Sequence, residues 1–237
     1  MLRLPRTRAY EAGLLLTIAV ACWAVTVDRM NGMDMGPGTE LGDLGWFAGV
    51  WAVMMAAMVL PSLVPAALAR GHAVVFAAGF LVPWALAGLA AYALVDAVSS
   101  FDAGFLDWEG GGRYTAAAVI GGAAAKELSR PKEACLRRCR LAATGRVPRA
   151  GAAASLGAGA GLGLVCIGCC WALMAALFAL GVMSVQWMAV IAALIAIEKL
   201  TAWESAPRVV AVSLAALALA VAIFPEQVPG LTIPPLM

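Results

Sequence analysis

The sequence predicts an all-α fold: a polytopic bundle of about seven transmembrane helices forming one domain over residues 1–237. The N-terminus is expected on the cytoplasmic side and the C-terminus outside, on the periplasmic face. Three observations carry this expectation. Of the 237 residues, 63% are hydrophobic and 13% charged, about half the charge of an ordinary soluble domain. The apolar residues gather into seven runs, most of them near the ~20 residues that a helix needs to cross a bilayer. Lys126, Arg130, Lys132, Arg137, Arg138, Arg140, Arg146 and Arg149 gather into one segment, which the positive-inside rule places in the cytoplasm.

Taken in order, the first run, 10–29, follows Arg3, Arg6 and Arg8. It has the flavour of a signal peptide, but no small-x-small cleavage site follows cleanly, so it reads as a retained first helix. The second run, 46–69, contains Pro61, which membrane helices tolerate where neighbours satisfy the freed carbonyl. The third is 73–98. The fourth, 114–128, is short and alanine-rich and ends in Lys126-Glu127, so it crosses only if Lys126 snorkels. It has to cross, because the loop before it carries Asp102, Asp107 and Glu109 and the loop after it is the basic one.

Within the basic segment, Pro131 suits the first turn of a short amphipathic helix over about 130–141, expected on the anionic inner leaflet. The fifth run, 155–181, begins with Gly157, Gly159, Gly161 and Gly163. These form two overlapping Gly-x-x-x-Gly pairs that let helix backbones approach closely, so the fifth helix is expected at the centre of the bundle. The sixth and seventh runs are 186–204 and 207–224. Trp46, Trp108, Trp187 and Trp203 fall near segment ends, as in an aromatic belt. The expected location is the cell inner membrane, crossed many times.

The chemistry concentrates in Cys166-Ile-Gly-Cys169-Cys170-Trp171, three thiols in five residues halfway along the fifth run. At 100° per residue all three share one helix face. A single buried cysteine is usually a small hydrophobe. Three on one arc, with Met174 a turn beyond Cys170, suit metal ligation or redox work, and soft sulfur donors point to Cu(I). The only histidine, His72, rules out an all-imidazole site within one chain.

Met54, Met55 and Met58 on the second run lie at a similar depth. Methionine is more often core filler than ligand, but these three are placed to add thioether donors. Met33 and Met35, beside Asp34 in the first outward loop, read either as a weak outer Cu(I) capture site or as a glycine-rich loop that happens to hold methionines. Glu198, near the cytoplasmic end of the sixth run, is an intramembrane carboxylate and therefore a site candidate; the plainer reading is that it and Lys199 reach the interface. Cys135 and Cys139, a turn apart in the basic helix, lack a third ligand there.

There is no nucleotide-binding glycine loop with its lysine, no His-Glu-x-x-His and no serine elbow, so any transport would be passive or ion-driven. The residues leave several functions open. One is copper handling, or service as the membrane subunit of a copper-dependent oxidoreductase. A second is a quinone-linked thiol–disulfide oxidoreductase using Cys166 and Cys169, although the shuttle pair it needs on the outer face is missing. A third is a scaffold in which sulfur only packs. Whether the chain is an enzyme stays open. The expected partners are lipid, other membrane or periplasmic subunits and a second copy of the chain; no nucleic-acid partner is expected.

Three stretches resemble a bacterial family of predicted metal-binding integral membrane proteins of unknown function. They are Trp51 to Ser62, the Lys132 to Arg140 segment with Cys135 and Cys139, and Cys166 to Lys199. The last is the most specific: Cys-x-Gly-Cys-Cys-Trp-Ala-Leu-Met, then Gly181-Val-Met183, Trp187-Met188 and Glu198-Lys199. The resemblance covers most of the chain from Trp46 to about Lys199 and implies a membrane protein that binds metal. The chain departs from the family pattern in two places. Met58-Val59 stands where the family usually has the two methionines of Ala-Met-Met-Leu-Pro, and Arg138 stands where the family usually has the histidine of Cys-Leu-x-His-Cys-Arg.

Overall fold

The computed structural model describes residues 6–30, 43–70, 72–99, 112–144, 151–181, 184–201 and 203–228. Eight α-helices follow one another: α1 (Arg6–Met30), α2 (Leu44–Arg70), α3 (Ala73–Ser99), α4 (Arg113–Glu127), α5 (Arg130–Thr144), α6 (Ala152–Leu180), α7 (Val185–Leu200) and α8 (Ala206–Ile223). A 3-10 turn over Pro225–Gln227 closes the described chain, and no strand occurs among the described residues. Seven of these helices coincide with the apolar runs to within four residues at each end.

Helices α1, α2, α3, α6 and α8 are long and apolar enough to cross a membrane. Helix α4 has 15 residues and α7 has 16, roughly 22 and 24 Å at 1.5 Å per residue against a hydrocarbon core of about 30 Å. Helix α6, with 29 residues, runs roughly 44 Å.

The eighth helix is α5, the short helix expected of the basic segment over about 130–141. It packs against α6 and α2 and buries Lys132, Leu136, Cys139 and Ala142, a stripe at i, i+4, i+7 and i+10. Arg137 and Arg138 stay exposed on the other face. The buried stripe contains only one strong hydrophobe, so an apolar-face argument from sequence could not find it.

Helix α6 lies at the centre, against α3, α4, α5 and α7. Its approach to α3 depends on glycine. A Cβ on Gly159 would sit 2.1 Å from the Phe76 carbonyl oxygen, one on Gly163 2.6 Å from that of Phe80, and one on Gly79 2.1 Å from that of Leu156. A Cβ on Gly157 or Gly161 would meet nothing within 4 Å. Of the two overlapping pairs, only Gly159 and Gly163 form the contact. Because Phe76 meets Gly159 and Phe80 meets Gly163, α3 and α6 run parallel. Their N-terminal ends, and the C-terminal end of α2 that leads directly into α3, therefore lie at one end of the bundle.

Gly159→Val is expected to destabilise the protein by about 2–3 kcal/mol or more through overpacking against backbone. Gly161→Ala should be neutral or slightly stabilising, since a helix interior gains from losing glycine. Thermal unfolding of the detergent-purified proteins checks both, and equal losses at the two positions would refute the assignment of contact faces.

Candidate metal centre

The i, i+3, i+4 spacing on α6 turns Cys166, Cys169 and Cys170 to one side, and the bundle closes over them. Their exposures are 1%, 1% and 2%. The Cys166 and Cys170 Sγ atoms are 3.9 Å apart and those of Cys169 and Cys170 are 3.3 Å apart. All three sulfurs lie within 4.8 Å of one another. Thiolates bound at about 2.3 Å to one metal sit roughly 3.8–4.0 Å apart, so the cluster needs little adjustment to close on an ion.

Helix α7 brings a charge to the cluster. Lys199 Nζ lies 2.9 Å from Cys166 Sγ and 5.8 Å over the Phe80 ring. The pairing follows from the short connection between α6 and α7. Counting back from Leu180 to Cys166 and forward from Val185 to Lys199 covers the same number of residues, roughly 21 Å of helix in each case. The sequence showed Lys199 as an interface residue; only this equal-length return reveals it beside sulfur.

Helix α5 brings a fourth sulfur. Cys139 Sγ is 4.0 Å from Cys169 Sγ. Cys135 lies over Gly168, where its Sγ would be 3.0 Å from an added Cβ, so the missing side chain lets α5 approach α6 at this level. Among the described residues only Cys166, Cys169 and Cys170 form a mutually close group; Cys139 adjoins it through Cys169. The sequence reading left Cys139 without ligand partners because they stand on another helix, 30 residues further on.

Glu198, proposed from sequence among the metal ligands, is placed elsewhere. Both of its carboxylate oxygens accept from Lys132 Nζ at 2.9 Å, and Lys132 also pairs with Glu127. The exposures of Lys132, Glu127 and Glu198 are 0%, 3% and 1%. Arg140 Nε donates to the Glu198 backbone oxygen at 2.7 Å. Lys132 therefore joins the C-terminal ends of α4 and α7 to α5, and Glu198 serves that junction. Glu127 and Lys132 were not singled out from sequence; a lysine in register with Leu136 and Cys139 was the available signal.

The methionines divide. Met174 on α6 and Met54, Met55 and Met58 on α2 are all buried in the same core. Met55 also lines an apolar groove against α3, with Ala78, Leu81, Val82 and Ala85. One turn beyond Met58, Ser62 and Leu63 of α2 help line a cavity of about 20 Å³ together with Cys139 and Lys199. That volume holds about one water-sized occupant. Met33 and Met35 lie outside the described residues. Cys22, on α1, is half-buried and stands outside the cluster.

Fold and site together define a helical protein with five segments long and apolar enough to cross a membrane and a buried, thiol-rich centre whose donors suit a soft metal. The chain belongs to the PpoB2 family, described as a copper chaperone, whose model matches residues 48–223. That stretch includes all the clustered sulfurs, Lys199 and the Lys132 junction. No curated protein and no solved structure matches the chain. The metal-binding character expected from the resemblance, and copper as the metal, agree with both the family and the cysteine cluster.

Lys132→Met should free α5 from the bundle, because it leaves Glu127 and Glu198 buried together without their cation, a change that costs about 3–5 kcal/mol. The readout is maleimide labelling of Cys139, expected to accelerate at least about tenfold, with Glu198→Gln giving a smaller effect. Labelling at the wild-type rate would show that the helix is held without the Lys132 ion pairs.

Proposed function

We propose that the chain is an integral membrane copper-handling protein that holds one Cu(I) as cargo at Cys166, Cys169 and Cys170 and passes it to a copper-requiring acceptor. The observation that carries this reading is the trio of fully buried sulfurs with a lysine ammonium against one of them. Cu(I) accepts two or three soft donors, whereas structural zinc uses four. Cu(I) on two thiolates carries one negative charge, and Lys199 offsets it in surroundings where an uncompensated charge is costly.

The same reading has the chain cross the bacterial inner membrane seven times, with the N-terminus and the basic segment cytoplasmic and the C-terminus periplasmic. The shortness of α4 and α7 is met by local thinning and by charged groups at their ends; Lys126 at the end of α4 sits 5.8 Å over the Trp171 ring. In this reading Met174 and one of Met54, Met55 or Met58 lend thioether donors, and Met33 and Met35 collect copper outside. The acceptor is a membrane or periplasmic copper protein, or the catalytic part of a copper-dependent oxidoreductase in which this chain is the membrane subunit.

Purified wild-type protein loaded anaerobically should retain one Cu(I) per chain by elemental analysis. The Cys166→Ser/Cys169→Ser/Cys170→Ser protein should retain none, and Cys22→Ser and Cys135→Ser should match wild type. Full loading of the triple variant would end the proposal. Lys199→Met should weaken Cu(I) binding about tenfold, roughly 1.4 kcal/mol, in competition with a chromophoric chelator. Unchanged affinity would remove the lysine from the site.

A further inference from the structure

We infer that Cys139 is the ligand through which Cu(I) enters and leaves the buried trio, at the end of the bundle that carries the basic helix. This rests on the copper reading above and adds to it a route and a residue.

Three observations converge on Cys139. First, its sulfur reaches the cluster from one side. It is 4.0 Å from Cys169 Sγ, close to the separation of two sulfurs on one metal. Yet the mutually close group consists of the three α6 cysteines alone, which makes Cys139 a neighbour of the site and Cys169 the atom the two share.

Second, Cys139 stands between the cluster and the small cavity. The cavity is lined by Cys139 and Lys199 but by none of the three α6 cysteines; its other walls include Ser62 and Ala66 of α2, Phe80 of α3 and Leu162 of α6. These wall residues belong to the last turns of α2 and the early turns of α3 and α6, on the side of the trio nearer the basic segment. Cys139 is also the most exposed of the four cysteines, at 8% against 1–2% for the others.

Third, the helix that carries Cys139 is held by charge, through Lys132 and Arg140, independently of any sulfur contact. The transfer thiol is therefore in place before copper arrives. Preorganisation of this kind removes the cost of ordering a ligand at the moment of exchange.

The step is ligand exchange without redox change. A bond forms between Cys139 Sγ and Cu(I) while Cys169 stays bound, and the bond to Cys166 or Cys170 breaks. The proton that Cys139 gives up passes to the departing thiolate, so copper remains Cu(I) and the charge of the site is unchanged. Lys199, which touches Cys166 and also lines the cavity, stays beside the ion through the exchange.

The test uses the full chain in detergent, loaded with one equivalent of Cu(I), and follows transfer to excess bathocuproine disulfonate by absorbance. Cys139→Ser, which keeps the side-chain size and removes the sulfur donor, is expected to hold one Cu(I) per chain and to release it at least about tenfold more slowly. Cys139→Met should recover part of the rate. In a Cys22→Ser/Cys135→Ser background, alkylating Cys139 in the folded, copper-loaded protein should slow release in the same way, which separates transfer from folding. Release at the wild-type rate after either change overturns the inference. So does a Cys139→Ser protein that folds but no longer holds copper, since Cys139 would then be a resident ligand. Failure of the copper reading itself appears separately, as full loading of the Cys166/Cys169/Cys170 triple variant.

Discussion

Charge inside an apolar bundle has to be answered by charge, and the arrangement of this molecule follows from how its buried ions are paired. Lys132 lies between Glu127 and Glu198, and the Arg140 guanidinium meets the backbone of Glu198. Two carboxylates and two cations thus gather where α4, α5 and α7 converge, and their formal charges cancel. A half-buried cation, Lys199, stands beside Cys166. Its neighbour in sequence joins the ion pairs while Lys199 itself faces sulfur, because adjacent residues on a helix point about 100° apart. A negatively charged metal–thiolate group is the partner that this position favours.

The ion pairs explain an otherwise awkward helix. The α5 segment is rich in arginine and has little apolar surface, so burial of hydrophobic area does little to seat it. Charge pairing seats it, and with it come Cys135 over Gly168 and Cys139 next to Cys169. The same logic of close approach operates on the other side of α6, where Gly159, Gly163 and Gly79 let backbone meet backbone against α3. Helix α6 is held on both sides by contacts that depend on missing side chains, and its sulfurs are correspondingly well shielded.

A site of this construction suits cargo. The trio is deep enough to protect a soft ion from water, and it adjoins a thiol that is less buried and borders a cavity. The proposed binding and exchange roles fall on two helices, the sulfur trio on α6 and Cys139 on the ion-paired α5. Function and stability are linked here, because the residues that seat α5 also position the sulfur next to the cluster.

Much of this was legible from residues alone. Composition and the seven apolar runs defined an all-helical protein and its helix limits, because a bilayer-length apolar run has few other physical solutions. The Cys166, Cys169 and Cys170 arc was readable because helical periodicity is local. The partners of Glu198, the approach of Lys199 to Cys166, the choice of Gly159 and Gly163 over Gly157 and Gly161, and the meeting of Cys139 with Cys169 were not. Each depends on the rotation and depth of one helix relative to another, which chain spacing does not encode. The methionines of α2 illustrate the boundary: sequence placed them at a fitting depth, but which way each faces was decided by how α2 packs on α3. Local periodicity determined the donor set; tertiary packing of charged and small residues decided what surrounds it.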